Sequence, residues 1–174
     1  MKLISCTIEN FGKLNNVTYD FSGECNTICE DNGWGKSTLA SFIRVMFYGF
    51  KNESKKKLVD KERNRLMPWQ KGVYGGEIVF ETGGVVYSLR RTFGKKQVDD
   101  EFLLVRKDTN VECDDFSCDI GEELFKIDAQ SFERTVFIGQ SDCVTATTDS
   151  INAKIGNLAD NTDAVSYTHL RAHE

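Results

Sequence analysis

A glycine-rich loop that stands between an apolar segment and a helical pattern constrains this chain of 174 residues most strongly. The loop reads Asn32-Gly33-Trp34-Gly35-Lys36-Ser37-Thr38. Residues 25–29 precede it and are mostly apolar, which predicts a short, central and buried strand. From Ser37 onward apolar residues recur with the period of a helix, which we expect to end near Gly49. They are Leu39, Phe42, Ile43, Met46 and Phe47. A strand, a glycine loop and a helix in this order are the context that a phosphate-binding loop requires.

The residue types of this loop suit the binding of a nucleoside triphosphate with Mg²⁺. Backbone N–H groups at a helix N-terminus, together with the positive end of the helix dipole, replace the water around phosphates. Gly33 and Gly35 allow the backbone to wrap closely around phosphate oxygens. Lys36 is placed to reach the β- and γ-phosphates, the Ser37 hydroxyl to ligate Mg²⁺, and Thr38 to contact the α-phosphate side.

One residue departs from the full phosphate-loop pattern G-x-x-x-x-G-K-[ST]. The first glycine of that pattern would fall at position 30, which is Glu30 here. A carboxylate beside phosphates repels them unless it points away. Because position 30 lies farthest from Lys36 within the loop, we expect the Glu30 side chain to point outward and the loop to keep its binding role.

Composition excludes several other classes of protein. The net charge of −5 argues against a basic nucleic-acid binder but leaves room for a local basic patch. No apolar run approaches the roughly 18 residues that span a bilayer, and no signal peptide is evident, so we expect a cytoplasmic location. The six cysteines include no C-x-x-C pair, which argues against a zinc site. We therefore interpret Cys6, Cys25 and Cys29 as reduced, buried thiols in or beside strands.

The rest of the sequence is mainly typical of β-structure. Strands are predicted at residues 2–9, 14–21, 76–81, 85–91 and 101–107, with a hairpin turn at Gly83-Gly84. A polar loop at 108–119 precedes two short helices, at 121–127 and 130–134, and a strand at 135–139 that leads to Gln140. The predicted fold class is α/β, with a mixed or antiparallel sheet packed around the helix that follows the phosphate loop.

Residues 51–71 form a connector that is rich in charge and has no clear period. One interpretation is a solvated connector without a binding role. The other is a surface that faces the phosphates or edge of a nucleotide, or DNA, and its candidates are Lys61, Arg63 and Arg65. The pattern by itself leaves both interpretations open.

Apolar residues spaced four and three apart begin at Ile151 and end at Val165, which is the rhythm of a coiled coil. Because the pattern lasts barely two heptads, a plain amphipathic helix explains it equally well. The pattern stops at Ser166, and both histidines lie after it. We interpret residues 164–174 as a non-native tail and leave them out of the functional interpretation.

Three segments in this order resemble SMC-like ABC-type ATPases, the group of SbcC, RecF, RecN and YhaN relatives that act on DNA. The segments are Ile8-Glu9-Asn10-Phe11-Gly12, the glycine loop, and Thr135-Val136-Phe137-Ile138-Gly139-Gln140. Two further segments resemble the YhaN and SbcC-like bacterial members. They are Met46-Phe47-Tyr48-Gly49-Phe50 and Pro68-Trp69-Gln70-Lys71-Gly72-Val73-Tyr74-Gly75-Gly76.

The resemblance implies the N-terminal lobe of an ATPase head at residues 1–148, with the phosphate loop at 30–38 and a glutamine loop near 140. A coiled-coil helix would begin at 149–163. ATP and Mg²⁺ are the implied ligands: Gln140 would coordinate the ion beside Ser37, and Lys13 would touch the triphosphate. The Walker B carboxylates and the signature motif of the family lie in a second lobe, and we find no counterpart in this sequence. We therefore expect this lobe to hold ATP without hydrolysing it alone.

The resemblance also implies partners. They are a C-terminal lobe, a second head in an ATP-bound homodimer, DNA bound without sequence preference and a candidate nuclease subunit, but no membrane. The complete protein would couple ATP to DNA repair or chromosome processing. Two alternatives stay open: a self-contained small kinase, with Arg90-Arg91 as lid arginines, and a non-catalytic nucleotide-binding module.

Overall fold

The alternating residues at the start of the chain form a hairpin. A computed structural model describes residues 1–23, 25–50, 61–137 and 152–153. In it, β1 (Lys2–Phe11) and β2 (Leu14–Asp20) pair antiparallel around a tight turn. Cys6, Ile8 and Phe11 of β1 are fully buried, so one face of the hairpin forms part of the core.

Four later strands extend this hairpin into an antiparallel sheet, which has six strands within the described residues. Their order across the sheet is β2-β1-β3-β4-β5-β6. The added strands are β3 (Gly75–Thr82), β4 (Val85–Thr92), β5 (Glu101–Arg106) and β6 (Val111–Glu112). The five predicted strands that form this sheet are confirmed to within two residues at each end. The strand β6 was not predicted: it has only two residues and lies in the predicted polar loop.

The helix predicted after the glycine loop is confirmed as α1 (Lys36–Tyr48), and it ends at Gly49. It packs on the apolar face of the sheet, where Phe42 meets Phe11 edge-on with ring centroids 5.1 Å apart. Farther along, Phe47 meets Phe80 of β3 at 5.7 Å. Burying each such ring contributes roughly 1.5–3 kcal/mol, so these contacts hold the glycine loop at a defined place on the sheet.

A short helix, α2 (Glu62–Arg65), attaches the connector to this core through two buried ion pairs. Glu62 pairs with Arg44 of α1, and both side chains are almost completely buried. Arg63, which is 2% exposed, donates two hydrogen bonds to the carboxylate of Asp100, at 2.7 and 2.8 Å. Its guanidinium also lies 4.5 Å over the ring of Phe50. The prediction that Arg63 faces a nucleotide or DNA is therefore wrong, because its charge is already paired inside the protein.

The segment before the glycine loop differs from the prediction. Residues 25–29 are not a strand, and Cys25 and Cys29 are exposed. An apolar segment becomes a strand only beside a hydrogen-bonding neighbour, and no strand among the described residues pairs with this one. The expectation of a buried thiol is confirmed for Cys6 alone among these three, and burial raises its pKa to about 12.

The chain divides into two units, Met1–Ile120 and Gly121–Glu174. At the start of the second unit, α3 (Ile120–Phe125) and α4 (Ala129–Thr135) confirm the two predicted short helices. The Asp128 carboxylate caps α4 by accepting a hydrogen bond from the Ser131 backbone N–H at 2.7 Å. No helix within the described parts of the chain is long and apolar enough to cross a bilayer.

The strand predicted at residues 135–139 is wrong at its first three positions, none of which is in a strand. Thr135 is the last residue of α4, and Val136 retains a helical backbone because it continues the last turn as the C-cap. Residues 138–140, including Gln140, lie outside the described residues, as do the tail and most of the heptad pattern. Within that pattern, Asn152 and Ala153 are helical.

Candidate nucleotide-binding site

The N-terminus of α1 has the chemistry of an anion site. Gly35 is its N-cap with a φ of +129°, no side chain caps the helix, and its first turn contains no acidic residue. The first helical hydrogen bond runs from the Leu39 N–H to the Gly35 carbonyl at 2.8 Å. The N–H groups of Lys36, Ser37 and Thr38 therefore have no partner one turn earlier in the helix. The positive end of the helix dipole is left uncompensated by any acidic side chain of that turn.

Lys36 adds a full positive charge at this helix end. Its ammonium group folds back and donates hydrogen bonds to the backbone carbonyls of Glu30 and Asp31, the latter at 3.0 Å. Both partners are neutral carbonyls, so the charge of Lys36 is not cancelled by these bonds. Glu30 is exposed and contributes its carbonyl to this contact.

Two contacts anchor the loop to the hairpin. Trp34 meets Tyr19 of β2 edge-on, with ring centroids 5.9 Å apart. At Gly35 the turn between β1 and β2 comes so close that a Cβ atom would lie 2.9 Å from Leu14 Cδ2 and 3.0 Å from Lys13 Cε. The Lys13 side chain thus lies beside the start of α1, and its contact with a triphosphate stays a prediction.

A cavity of about 490 Å³ continues from the loop toward the connector. Thr38 and the turn formed by Gly12 and Lys13 line one part of it. The other lining residues lie at the end of α2 or just after it in the chain. They are Arg65, Leu66, Met67, Trp69 and Gln70. The Gly12 N–H donates a hydrogen bond to the Leu66 carbonyl at 2.7 Å, which joins the two parts.

The structure thus brings together the glycine loop, Lys13 and Arg65, and it separates Arg63 from them. Trp69, which is 99% exposed, was missed as a site residue. The sequence offered one sign of it, a tryptophan directly after the single proline of the chain, at the end of the connector. Lys61 is half-buried and does not line the cavity, whereas the Arg65 side chain is 70% exposed.

We expect Gly35→Ala to lower the free energy of unfolding by about 2–3 kcal/mol, because it combines a disfavoured backbone conformation with overlap onto Leu14 and Lys13. Gly33→Ala is the matched control: its φ is +84°, but a Cβ there would meet no atom within 4 Å. The control should cost about 1 kcal/mol from backbone strain alone. Urea unfolding of both variants measures the difference, and equal losses would contradict the close contact at Gly35.

The family follows from a comparison with known proteins. Residues 5–168 match the model of a family described as AAA domain. This chain belongs to that AAA domain family. The resemblance to SMC-like, SbcC-type ATPase heads is thereby confirmed, and the AAA domain is a nucleotide-binding ATPase domain.

A relative supports the same assignment. This chain is 35% identical over 82 residues to a Bacillus subtilis (strain 168) protein named "Uncharacterized protein YhaN". The aligned region is 47% of this chain and 8% of that relative. The chain therefore spans a small part of the length of the curated relative that it matches.

Proposed function

We propose that this chain binds ATP with Mg²⁺ at the N-terminus of α1, as the N-terminal lobe of an SMC-like ATPase head. The observation that carries the proposal is the uncapped, acid-free start of α1 with Lys36 folded over it. A triphosphate would accept hydrogen bonds from the free N–H groups and would draw the Lys36 ammonium away from two neutral carbonyls. Since a phosphate oxygen carries more negative charge than a carbonyl, this exchange favours binding.

The residues at the site fit both ligands. Ser37 is exposed in the first turn of α1, and its hydroxyl is the hard oxygen ligand that Mg²⁺ prefers. Gln140 would add a neutral amide oxygen, and Lys13 a second positive charge beside the loop. Bound Mg²⁺ neutralises charge on the β- and γ-phosphates.

The nucleoside would occupy the adjoining cavity of about 490 Å³, a size within the usual range of small-molecule sites. Thr38 joins this cavity to the phosphate loop, so the base and the phosphates would lie on either side of it. Trp69 offers an aromatic face for the base, and Met67 a polarizable apolar wall.

Hydrolysis would need groups from a C-terminal lobe and from a second head, because a water-positioning group must face the γ-phosphate. Residues 25–29 support such a partner: all but the half-buried Ile28 are exposed, and no strand in the described part of the chain pairs with them. A strand from the C-terminal lobe would satisfy their backbone hydrogen bonds. In the complete protein, closing and opening of two heads around ATP would act on DNA during repair or chromosome processing.

We expect ATP hydrolysis by this chain alone to stay at background and to appear when a C-terminal lobe of the same kind of head is added in trans. Phosphate release measured with and without that lobe tests this, and the Lys36→Ala chain mixed with the same lobe is the control. Release of ADP by the chain alone in the presence of a small-molecule acceptor would instead indicate the alternative, a self-contained kinase.

DNA binding is a separate part of the proposal, supported by the exposure of Arg65 and by Lys61 nearby. Reversing both charges, Lys61→Glu with Arg65→Glu, should weaken binding to any DNA sequence and lower the slope of log affinity against log salt by about 2. Lys95→Glu with Lys96→Glu, in the exposed turn after β4, is the matched control. An unchanged slope, or an equal change in the control, would leave α2 and its neighbours without a DNA-binding role.

A further inference from the structure

A second cavity, of about 270 Å³, lies where the end of α1 meets β4 and β5. Its lining includes three aromatic side chains and two arginines. The aromatic residues are Tyr48, Phe50 and Phe102. The helix α2 contributes Arg63 to this cavity and Arg65 to the nucleotide cavity, so the two cavities are distinct.

Arg91 of β4 is buried at this second cavity, and within the described parts of the chain it has no ion-pair partner. It is 9% exposed, and one of its Nη groups donates a hydrogen bond to the Cys118 carbonyl. Its guanidinium lies 5.0 Å over the ring of Phe102. Its Nε is buried and has no hydrogen-bond partner among the described residues. The guanidinium forms no ion pair with any of those residues either. Burial is the main influence on Arg91 and lowers its pKa, as expected of a buried cation without a close counter-charge.

The carboxylates at the rim of the cavity, Asp100 and Asp119 among them, raise the pKa of Arg91 by less than burial lowers it, and none of the rim carboxylates forms an ion pair with Arg91 within the described residues. Both carboxylate oxygens of Asp100 accept hydrogen bonds from Arg63, and one of them also accepts a hydrogen bond from the Gly94 N–H. Glu101 is exposed and accepts a hydrogen bond from the Thr92 hydroxyl at 2.8 Å. Asp119 is exposed as well. The cavity therefore combines a buried guanidinium that lacks an ion pair within the described residues with a rim that already carries negative charge.

We propose that this cavity binds a single carboxylate carried on an apolar or aromatic body. The second Nη of Arg91, which is not the one bonded to Cys118, can donate a charge-assisted hydrogen bond to a carboxylate oxygen. One negative charge balances the one available cation, whereas a doubly charged phosphate would be repelled by the rim. The aromatic walls suit an apolar body, and neither the proposed nucleotide site nor its residues take part.

The test observes Arg91 directly in the unmodified chain. We expect the Nε–Hε signal of Arg91 in ¹⁵N-labelled protein to shift with sodium benzoate and to reach saturation. The neutral analogue benzamide, and sodium chloride at the same ionic strength, should leave it in place. The spectrum of the Arg91→Lys chain assigns this signal by its loss.

Two arms of the experiment separate the sources of the carboxylate. A tripeptide that ends in phenylalanine with a free carboxylate is compared with benzoate and with the same tripeptide amidated at its C-terminus. If the free-acid peptide saturates the signal at a concentration at least tenfold lower than benzoate does, the natural ligand is a protein C-terminus. If benzoate binds more tightly than the peptide, the natural ligand is a small free acid. Absence of a saturable shift with both carboxylates, or an equal shift with benzamide, would overturn the proposal.

A thermal-unfolding series gives an independent readout. Benzoate should raise the melting temperature of the unmodified chain and of Arg90→Gln, whose side chain is exposed and pairs with Glu9. It should not raise that of Arg91→Gln. A rise in Arg91→Gln equal to that of the unmodified chain would likewise overturn the proposal.

Discussion

Replacing Lys36 with alanine should lower the affinity for MgATP by about 100-fold, which corresponds to about 2.7 kcal/mol of lost charge-assisted hydrogen bonding. The stability of the fold should change little, because within the described residues the ammonium bonds only to the carbonyls of Glu30 and Asp31, in an exposed loop. Calorimetric titration with MgATP measures the first quantity, and urea unfolding the second. The charge and the reach of the side chain, not its packing, are responsible for the effect.

Lys96→Ala is the matched control, since Lys96 is also exposed but lies in the turn after β4. Its affinity for MgATP should equal that of the unmodified chain. Equal affinities of the Lys36→Ala and unmodified chains would contradict the proposed site. Undetectable MgATP binding by the unmodified chain would mean that the loop is a relic in a scaffold module.

Replacing Arg44 with methionine should lower the free energy of unfolding by about 3–5 kcal/mol. Arg44 pairs with Glu62, and the two side chains are 2% and 5% exposed. Methionine would fill much of the space but would leave the buried Glu62 carboxylate facing an apolar group. Among the described residues Arg65 also lies near this carboxylate, at 3.8 Å, but it is mostly solvent-exposed and would compensate weakly.

Two further variants separate charge from packing at this pair. Arg44→Met combined with Glu62→Leu removes both charges and should recover most of the lost stability. Arg90→Met breaks an exposed pair with Glu9 and should cost about 1 kcal/mol or less. Urea unfolding with a constant m-value measures all three, and a double variant as unstable as the single one would contradict the role given to the buried charge.

The same ion pair also matters for the candidate site. It fixes α2 to α1, and α2 is followed directly by Leu66, whose carbonyl holds the Gly12 turn of the nucleotide cavity. Loosening α2 should therefore displace one wall of that cavity. The loop of residues 32–38 is anchored separately, through Trp34 and Gly35, and should keep its geometry.

Much of the architecture could be predicted because it depends on neighbours close in the chain. The alternation in β1 to β5 and the helical spacing in α1 are local patterns, and their bounds were correct to within two residues. The glycine loop could be recognised because its chemistry needs particular residues at fixed spacing. Lys13 was a candidate only through the family resemblance, and its position beside Gly35 is decided by the tertiary structure.

The errors arose where a distant partner decides the outcome. Arg63 belongs to a run of charges that is typical of a solvated surface, yet Asp100, 37 residues away, pairs with it inside the protein. Residues 25–29 have the apolar character of a buried strand, but a strand also needs a neighbour that hydrogen-bonds to it. Arg91 could be read as a lid arginine, and its burial follows from packing against Phe102 and Cys118.

The sequence by itself determined the glycine-rich pattern of the loop, the start and end of α1 and the strands of the sheet, because spacing along the chain sets backbone periodicity and glycine permits the turns. Only the tertiary structure decided which charges are buried, which walls close the two cavities and which segment lacks a neighbour. The physical reason is that the desolvation and the pairing of a charged side chain depend on groups brought together from distant parts of the chain. A local sequence pattern does not contain those groups and cannot predict them.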